Sequence, residues 1–212
     1  KNLKNGKVKA ITEDGKRNKI INATTDWVYE EEFGITKAYG WSYDSQNIAF
    51  LRFNEKKVEN FSMTYYNDLY PKNYKFKYPK AGEDNSVVSL HISNLNCSKI
   101  IDIDLGEYEY IPRLKWSPIK NQLIVLTLNR HQNHLKYHLI DVNGKKKSIK
   151  VFHEERSNSY VEIDDNLLIL NNGNSILRTS EKRGYNHIYK VDFSGNEKQI
   201  TSGSWDVIEF FG

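Results

Sequence analysis

Short apolar runs separated by turn residues decide what this chain can fold into. Lys7-Val8-Lys9-Ala10-Ile11, Asn47-Ile48-Ala49-Phe50-Leu51, Val87-Val88-Ser89-Leu90-His91-Ile92, Gln122-Leu123-Ile124-Val125-Leu126, Tyr137-His138-Leu139-Ile140-Asp141 and His187-Ile188-Tyr189-Lys190-Val191 are rich in β-branched or aromatic side chains. Runs of that length and composition suit a pleated, half-buried strand. Asp14-Gly15, Asn143-Gly144 and Ser194-Gly195 mark hairpin turns between them. No stretch of 12 or more residues carries a convincing helical period. The predicted class is all-β.

The runs also recur at a longer period. Ile21, Ile101, Ile149 and Ile200 each end or sit in a short apolar stretch that follows a hairpin. Asn22-Ala23-Thr24-Thr25-Asp26-Trp27-Val28 echoes Thr201-Ser202-Gly203-Ser204-Trp205-Asp206-Val207, and Trp41-Ser42-Tyr43-Asp44 echoes Trp116-Ser117-Pro118-Ile119. The last two intervals of the isoleucine series are about 50 residues, in the range of a four-stranded propeller blade. The first is longer by roughly 30 residues, as an insertion within one blade makes it. About four blades of four antiparallel strands are expected.

Composition supports a folded chain. With 38% hydrophobic residues, 13% aromatics and a net charge of +4, the 212 residues are too apolar for disorder, and large aromatics must fill much of the core. No run approaches the roughly 18–20 apolar residues of a membrane span. Lys1-Asn2-Leu3-Lys4-Asn5 lacks a signal-peptide core, so any export signal is expected outside this sequence. The one basic cluster, Lys145-Lys146-Lys147, follows Asn143-Gly144 and reads as a solvated loop tip, which gives nucleic acid no basic stripe to bind. The lone Cys97 excludes an internal disulfide framework and leaves an extracytoplasmic location open.

The chemistry-bearing feature is Asp26-Trp27-Val28-Tyr29-Glu30-Glu31-Glu32-Phe33. Adjacent carboxylates raise the cost of ionising one another, and a fold that holds them together usually has a cation to place between them. A protonated peptide N-terminus suits two converging carboxylates, being mostly charged at neutral pH. The alternative is a solvated acidic turn. Glu30 is expected to point away from its neighbours, because successive helix residues do not share a face. Trp27 and Tyr29 read as packing residues.

Other catalytic arrangements are missing. No Gly-x-Ser-x-Gly elbow occurs, Cys97 has no partnered His–Asn arrangement, and no phosphate-binding glycine loop is present. His131, His134 and His138 would share one face of a helix, but they lie between two strand runs where their side chains diverge around a turn. No metal and no cofactor is expected. Propellers host many functions, so fold alone leaves open a scaffold that offers its faces to protein partners, or a glycan-binding propeller. The latter lacks a recurrent aromatic–acid pair in each blade.

The acidic octamer resembles the double-glutamate motif of the dipeptidyl peptidase IV family, serine exopeptidases of the prolyl oligopeptidase clan. Further matches follow in order: Tyr39-Gly40-Trp41-Ser42, Ile48-Ala49-Phe50, Tyr78-Pro79-Lys80-Ala81-Gly82, Leu128-Asn129-Arg130 with Gln132-Asn133, Gly184-Tyr185-Asn186-His187-Ile188-Tyr189, and Ile200-Thr201 with Trp205-Asp206-Val207. They span nearly the whole chain. The resemblance implies that residues 1–212 are part of a larger, eight-bladed propeller, with the triad in a C-terminal α/β-hydrolase domain beyond Gly212. It implies a parent enzyme that removes dipeptides with penultimate Pro or Ala from peptide N-termini, outside the cytoplasm. Glu31 and Glu32 match the two glutamates that bind the substrate's α-ammonium. The family's substrate-binding arginine belongs to an earlier blade, outside this chain. A later loop lends an aromatic to the substrate pocket; here Glu154-Glu155-Arg156-Ser157-Asn158-Ser159-Tyr160 matches poorly, and Tyr160 is the candidate.

The insertion is placed at residues 55–82, where Tyr65, Tyr66, Tyr70, Tyr74, Phe76 and Tyr78 alternate with polar and basic residues. One blade cannot bury all those rings, whereas a projecting hairpin packed on a partner can. A long loop folded back on its own blade is the alternative. In the resembled family this segment is an arm that takes part in dimerisation, which implies a homodimer.

Overall fold

The computed structural model describes residues 3–95, 99–142, 147–163 and 165–211. In chain order its elements are β1 (Ile20–Asn22), α1 (Trp27–Glu31), β2 (Tyr39–Trp41), β3 (Asn47–Asn54), β4 (Asn60–Tyr65), β5 (Lys72–Lys77), β6 (Val87–Asn94) and β7 (Ile100–Ile103). There follow β8 (Tyr110–Trp116), β9 (Gln122–Leu128), β10 (His134–Asp141), β11 (Ser148–Arg156), β12 (Leu168–Ile169), β13 (Ser175–Ser180), β14 (His187–Asp192) and β15 (Glu197–Gln199). The chain is all-β, with one five-stranded sheet in which β2 also pairs with β3, two four-stranded antiparallel sheets and a two-stranded ribbon, as in a partial β-propeller. Two compact units result, Lys1–Tyr39 with Asn47–Asp104, and Gly40–Gln46 with Leu105–Gly212.

In the first unit the strands run in the order β1-β3-β6-β7. β3 and β6 are central, so their residues are covered on both faces and read as apolar runs rather than as strict alternation. Leu51 faces Leu90, Phe53 faces Val88 and Ala49 faces Ile92, all buried. β4 and β5 pair only with each other, as a two-stranded ribbon. Its register sets Phe61 opposite Phe76 and Met63 opposite Tyr74. Tyr66 and Tyr70, in the connection, are each 78% exposed, so this is not a loop folded back to bury its rings.

The second unit holds two sheets, β11-β10-β9-β8 and β12-β13-β14-β15. Leu123, Ile124, Val125 and Leu126 on the central β9 are wholly buried. The Trp-Ser echo falls where β2 and β8 end in turns. After Trp41 the Ser45 N–H donates to the Ser42 carbonyl at 2.9 Å, and after Trp116 the Ser117 N–H donates to the Gln122 carbonyl at 2.8 Å. Gly40 lies against the Trp116 indole, whose Nε1 donates to the Gly40 carbonyl at 2.9 Å. A Cβ there would lie 3.0 Å from the ring, so any larger residue would require the indole to shift.

Two expectations are corrected. Lys7–Ile11 forms no named strand, and Val8 is 76% exposed, because single apolar residues between lysines have no paired strand to pack with. Ile101 and Ile149 sit on β7 and β11, at the far edge of their sheets, and Ile200 directly follows β15. Ile21 instead sits on β1 at the opposite edge, so three blade sheets stand among the described residues where about four repeats were expected. Cys97, Asn143-Gly144 and Lys145-Lys146 lie outside the described residues.

Candidate functional site

Residues 24–37 leave the first sheet and return to it at one point. Ala23 donates its N–H to the Leu51 carbonyl at 2.9 Å, Leu51 donates to Ala38 at 2.9 Å, and Ala38 donates to Ala23 at 3.0 Å. The Thr25 hydroxyl donates to the Ile35 carbonyl at 2.8 Å and tightens the neck. The acidic octamer is carried on this closed excursion.

Asp26 starts the helix. Its carboxylate accepts the Tyr29 N–H at 3.1 Å, satisfying a donor that the first helical turn leaves unpaired. Burial pushes the Asp26 carboxyl above its ordinary pKa, against the Ser86 hydroxyl and the Tyr29 amide. Buried Glu55 is also pushed up, first by desolvation and then by the Asp26 charge, while Lys77 opposes. The Tyr29 ring anchors the helix in the core: it is 2% exposed and meets Phe33 at 4.9 Å and Phe53 at 4.7 Å, both edge-on. The helix stops after five residues, and Gly34 turns the chain at φ 63°.

Glu30, Glu31 and Glu32 are all exposed, so exposure does not single out Glu30. Among the described residues no hydrogen bond or ion pair engages the side chain of Glu31 or Glu32. Both stand at the C-terminal end of α1, where the last turn has no basic residue. Unpaired carbonyls give a helix C-terminus partial negative charge. The carboxylates and these carbonyls therefore favour a cation at the same end of the helix. Trp27 turns to the ribbon, where its ring lies 4.3 Å from that of Tyr78.

Tyr160 belongs to the second unit, in the segment after β11, and is 48% exposed. It lines a cavity of 640 Å³ with Glu155, Arg156, Asn158, Val161 and Lys182. The glutamates and Tyr160 thus fall in different units. The histidines have separate partners: His134 Nε2 meets Glu154 at 2.7 Å, and His138 Nε2 meets the Thr127 hydroxyl at 2.8 Å. Among the described residues no group of three or more His, Cys, Asp or Glu is arranged to hold a metal ion.

The sequence did not reveal a charged cluster in the second unit. Arg178 is wholly buried and ion-pairs with buried Glu155. Its Nη1 donates to His153 Nε2 at 2.9 Å, and its guanidinium lies 5.1 Å from the centre of the Tyr137 ring. The Ser180 hydroxyl donates to Glu155 at 2.6 Å. These residues are scattered along three strands, so no local motif flags them.

Residues 1–212 match the family described as dipeptidyl peptidase IV (DPP IV) N-terminal region. The chain belongs to this family. Dipeptidyl peptidase 4 of Trichophyton rubrum is 32% identical over 96% of the chain and 28% of its own length. That of Arthroderma otae is 32% identical over 95% of the chain and 28% of its own length. The crystal structure of Porphyromonas gingivalis dipeptidyl peptidase 4 superposes with a TM-score of 0.86 at 38% identity, covering 95% of this chain and 29% of that one. This DPP IV N-terminal region therefore spans less than a third of the length of the relatives it matches.

Proposed function

We propose that this chain is the substrate-gating propeller segment of a serine dipeptidyl peptidase, in which Glu31 and Glu32 hold the α-ammonium of the substrate. The observation that carries the reading is the pair of exposed, unengaged carboxylates at the end of a capped helix whose Tyr29 ring is locked in the core. Rigid placement matters because an anchor sets a distance. With the N-terminus fixed, only the bond two residues along reaches a nucleophile, and a peptidase becomes dipeptide-releasing. Charge-assisted hydrogen bonds to an ammonium supply the selectivity for a free N-terminus. The nucleophile belongs to a C-terminal hydrolase domain of the same polypeptide, and penultimate Pro or Ala is the preferred substrate class.

The test compares the full-length protein with the chain alone. The full-length protein is expected to hydrolyse Gly-Pro and Ala-Pro reporters in a serine-reagent-sensitive manner, and residues 1–212 alone are expected to show no turnover. Serine-reagent-sensitive turnover by the pure chain would overturn this division of labour.

The ribbon β4–β5 acts in self-association on this reading, supported by its exposed Met63, Tyr65, Tyr66, Tyr70 and Tyr74. Replacing residues 64–73 with a two-residue turn is expected to shift the sedimentation mass of the full-length protein from dimer to monomer. An unchanged mass would remove the association role.

A further inference from the structure

The geometry points to Tyr78, at the root of the ribbon, as a positioning residue for the ammonium anchor, acting through Trp27. This rests on the reading of Glu31 and Glu32 given above. A helix of five residues cannot hold its own orientation, because tertiary packing supplies most of the stability of so short an element. Tyr29 fixes one side of α1 to the core. Val28 and Phe33 are buried on that core side too, whereas Trp27 lies two residues before Tyr29, about 200° away around the helix axis, so its contact is a support on the opposite side. Glu31 lies four residues after Trp27 and shares its face. What holds the indole therefore acts on the face that carries Glu31, beside the core anchor at Tyr29.

Tyr78 is itself held. Its N–H donates to the Glu59 carbonyl at 3.1 Å, and its ring packs on Phe61 at 5.3 Å and Phe76 at 6.3 Å. Phe61 and Phe76 are cross-strand partners, so the ring cluster belongs to the paired part of the ribbon rather than to its connection. Its edge meets the Trp27 indole at an interplanar angle of 65°. Trp27 and Tyr78 line a groove of 450 Å³ together with Phe61, Met63, Phe76 and Ala81. The ribbon root is thus a second support for the helix, separate from any association made by the ribbon tip.

The experiment uses full-length protein carrying Tyr78→Ala, Tyr78→Phe, Trp27→Leu or the tip replacement of residues 64–73, assayed on Ala-Pro reporters with a free or an N-acetylated terminus. Tyr78→Ala is expected to raise KM for the free-amine reporter roughly tenfold with kcat unchanged, as weakening an interaction made equally in the ground and transition states does. Trp27→Leu, altering the contact from the helix side, is expected to give the same signature. Tyr78→Phe keeps the ring and is expected to behave as wild type. The tip replacement is expected to leave the free-amine KM in place, and turnover of the N-acetylated reporter is expected to be unchanged throughout. Unchanged KM in both Tyr78→Ala and Trp27→Leu overturns the positioning role, as does an equal loss on both reporters. A tip replacement that raises KM as much as Tyr78→Ala also overturns it, since association rather than the ring contact would then carry the effect. Wild-type protein that ignores N-acetylation refutes the anchor itself, and the positioning role falls with it.

Discussion

Glutamine in place of Glu31 or Glu32 is expected to lower kcat/KM of the full-length protein on free N-terminal substrates by about 10- to 150-fold. The range follows from the loss of one charge-assisted hydrogen bond, roughly 1.5–3 kcal/mol. Glutamine keeps the size of the side chain, and neither carboxylate has a partner among the described residues, so the fold loses no internal contact. N-acetylated substrates were never anchored there and are expected to respond little. Glu30→Gln is expected to do little on either substrate. A merely structural acidic turn predicts small and equal effects for all three variants. A similar response of the three on free and blocked substrates would sink the ammonium anchor.

The largest stability effect is expected at Arg178. Its guanidinium is wholly buried, and Arg178→Met leaves the Glu155 carboxylate buried without its cation. Breaking such a pair on one side costs about 3–5 kcal/mol, whereas replacing both partners with apolar residues is often neutral. Arg178→Met combined with Glu155→Leu is therefore expected to recover most of the loss in urea unfolding. A single variant as stable as wild type would show the pair to be dispensable.

The same cluster fixes a pH dependence. His153 Nε2 accepts a hydrogen bond from Arg178, so the ring is neutral, and burial followed by the Arg178 charge holds its pKa below the ordinary value. A histidine depressed in the folded state contributes stability above its unfolded pKa, about 6.5, and that contribution is lost as pH falls through the acidic range. His138, held down to about 4 chiefly by burial, acts in the same direction.

Most central strands were legible, but β13 was not, because Ser175, Arg178, Thr179 and Ser180 interrupt its apolar run. Asn47–Leu51, Val87–Ile92 and Gln122–Leu126 fall within strands whose apolar runs follow from cover on both faces, and His187–Val191 falls within β14, whose burial alternates along the strand. Lys7–Ile11 has the right residue types but no paired neighbour in the structure, which sequence cannot supply. The isoleucine series misled at Ile21 because the first and last strands of a blade sheet are equally short and equally bounded by turns. At the candidate site the octamer announced its glutamates and its packing aromatics. Two features were hidden: Asp26 as a cap, and Tyr78, 51 residues from Trp27 in sequence, as its ring partner. Arg178 was illegible for the same reason, since its partners come from another sheet and a buried charge leaves no periodic trace.

The most direct measurement is a crystal structure of the full-length protein with a slowly hydrolysed Ala-Pro peptide bearing a free N-terminus. The account predicts the peptide nitrogen about 3 Å from a carboxylate oxygen of both Glu31 and Glu32, the distance of a charge-assisted hydrogen bond. An ordered peptide whose ammonium pairs elsewhere, with both carboxylates left in solvent, would contradict it.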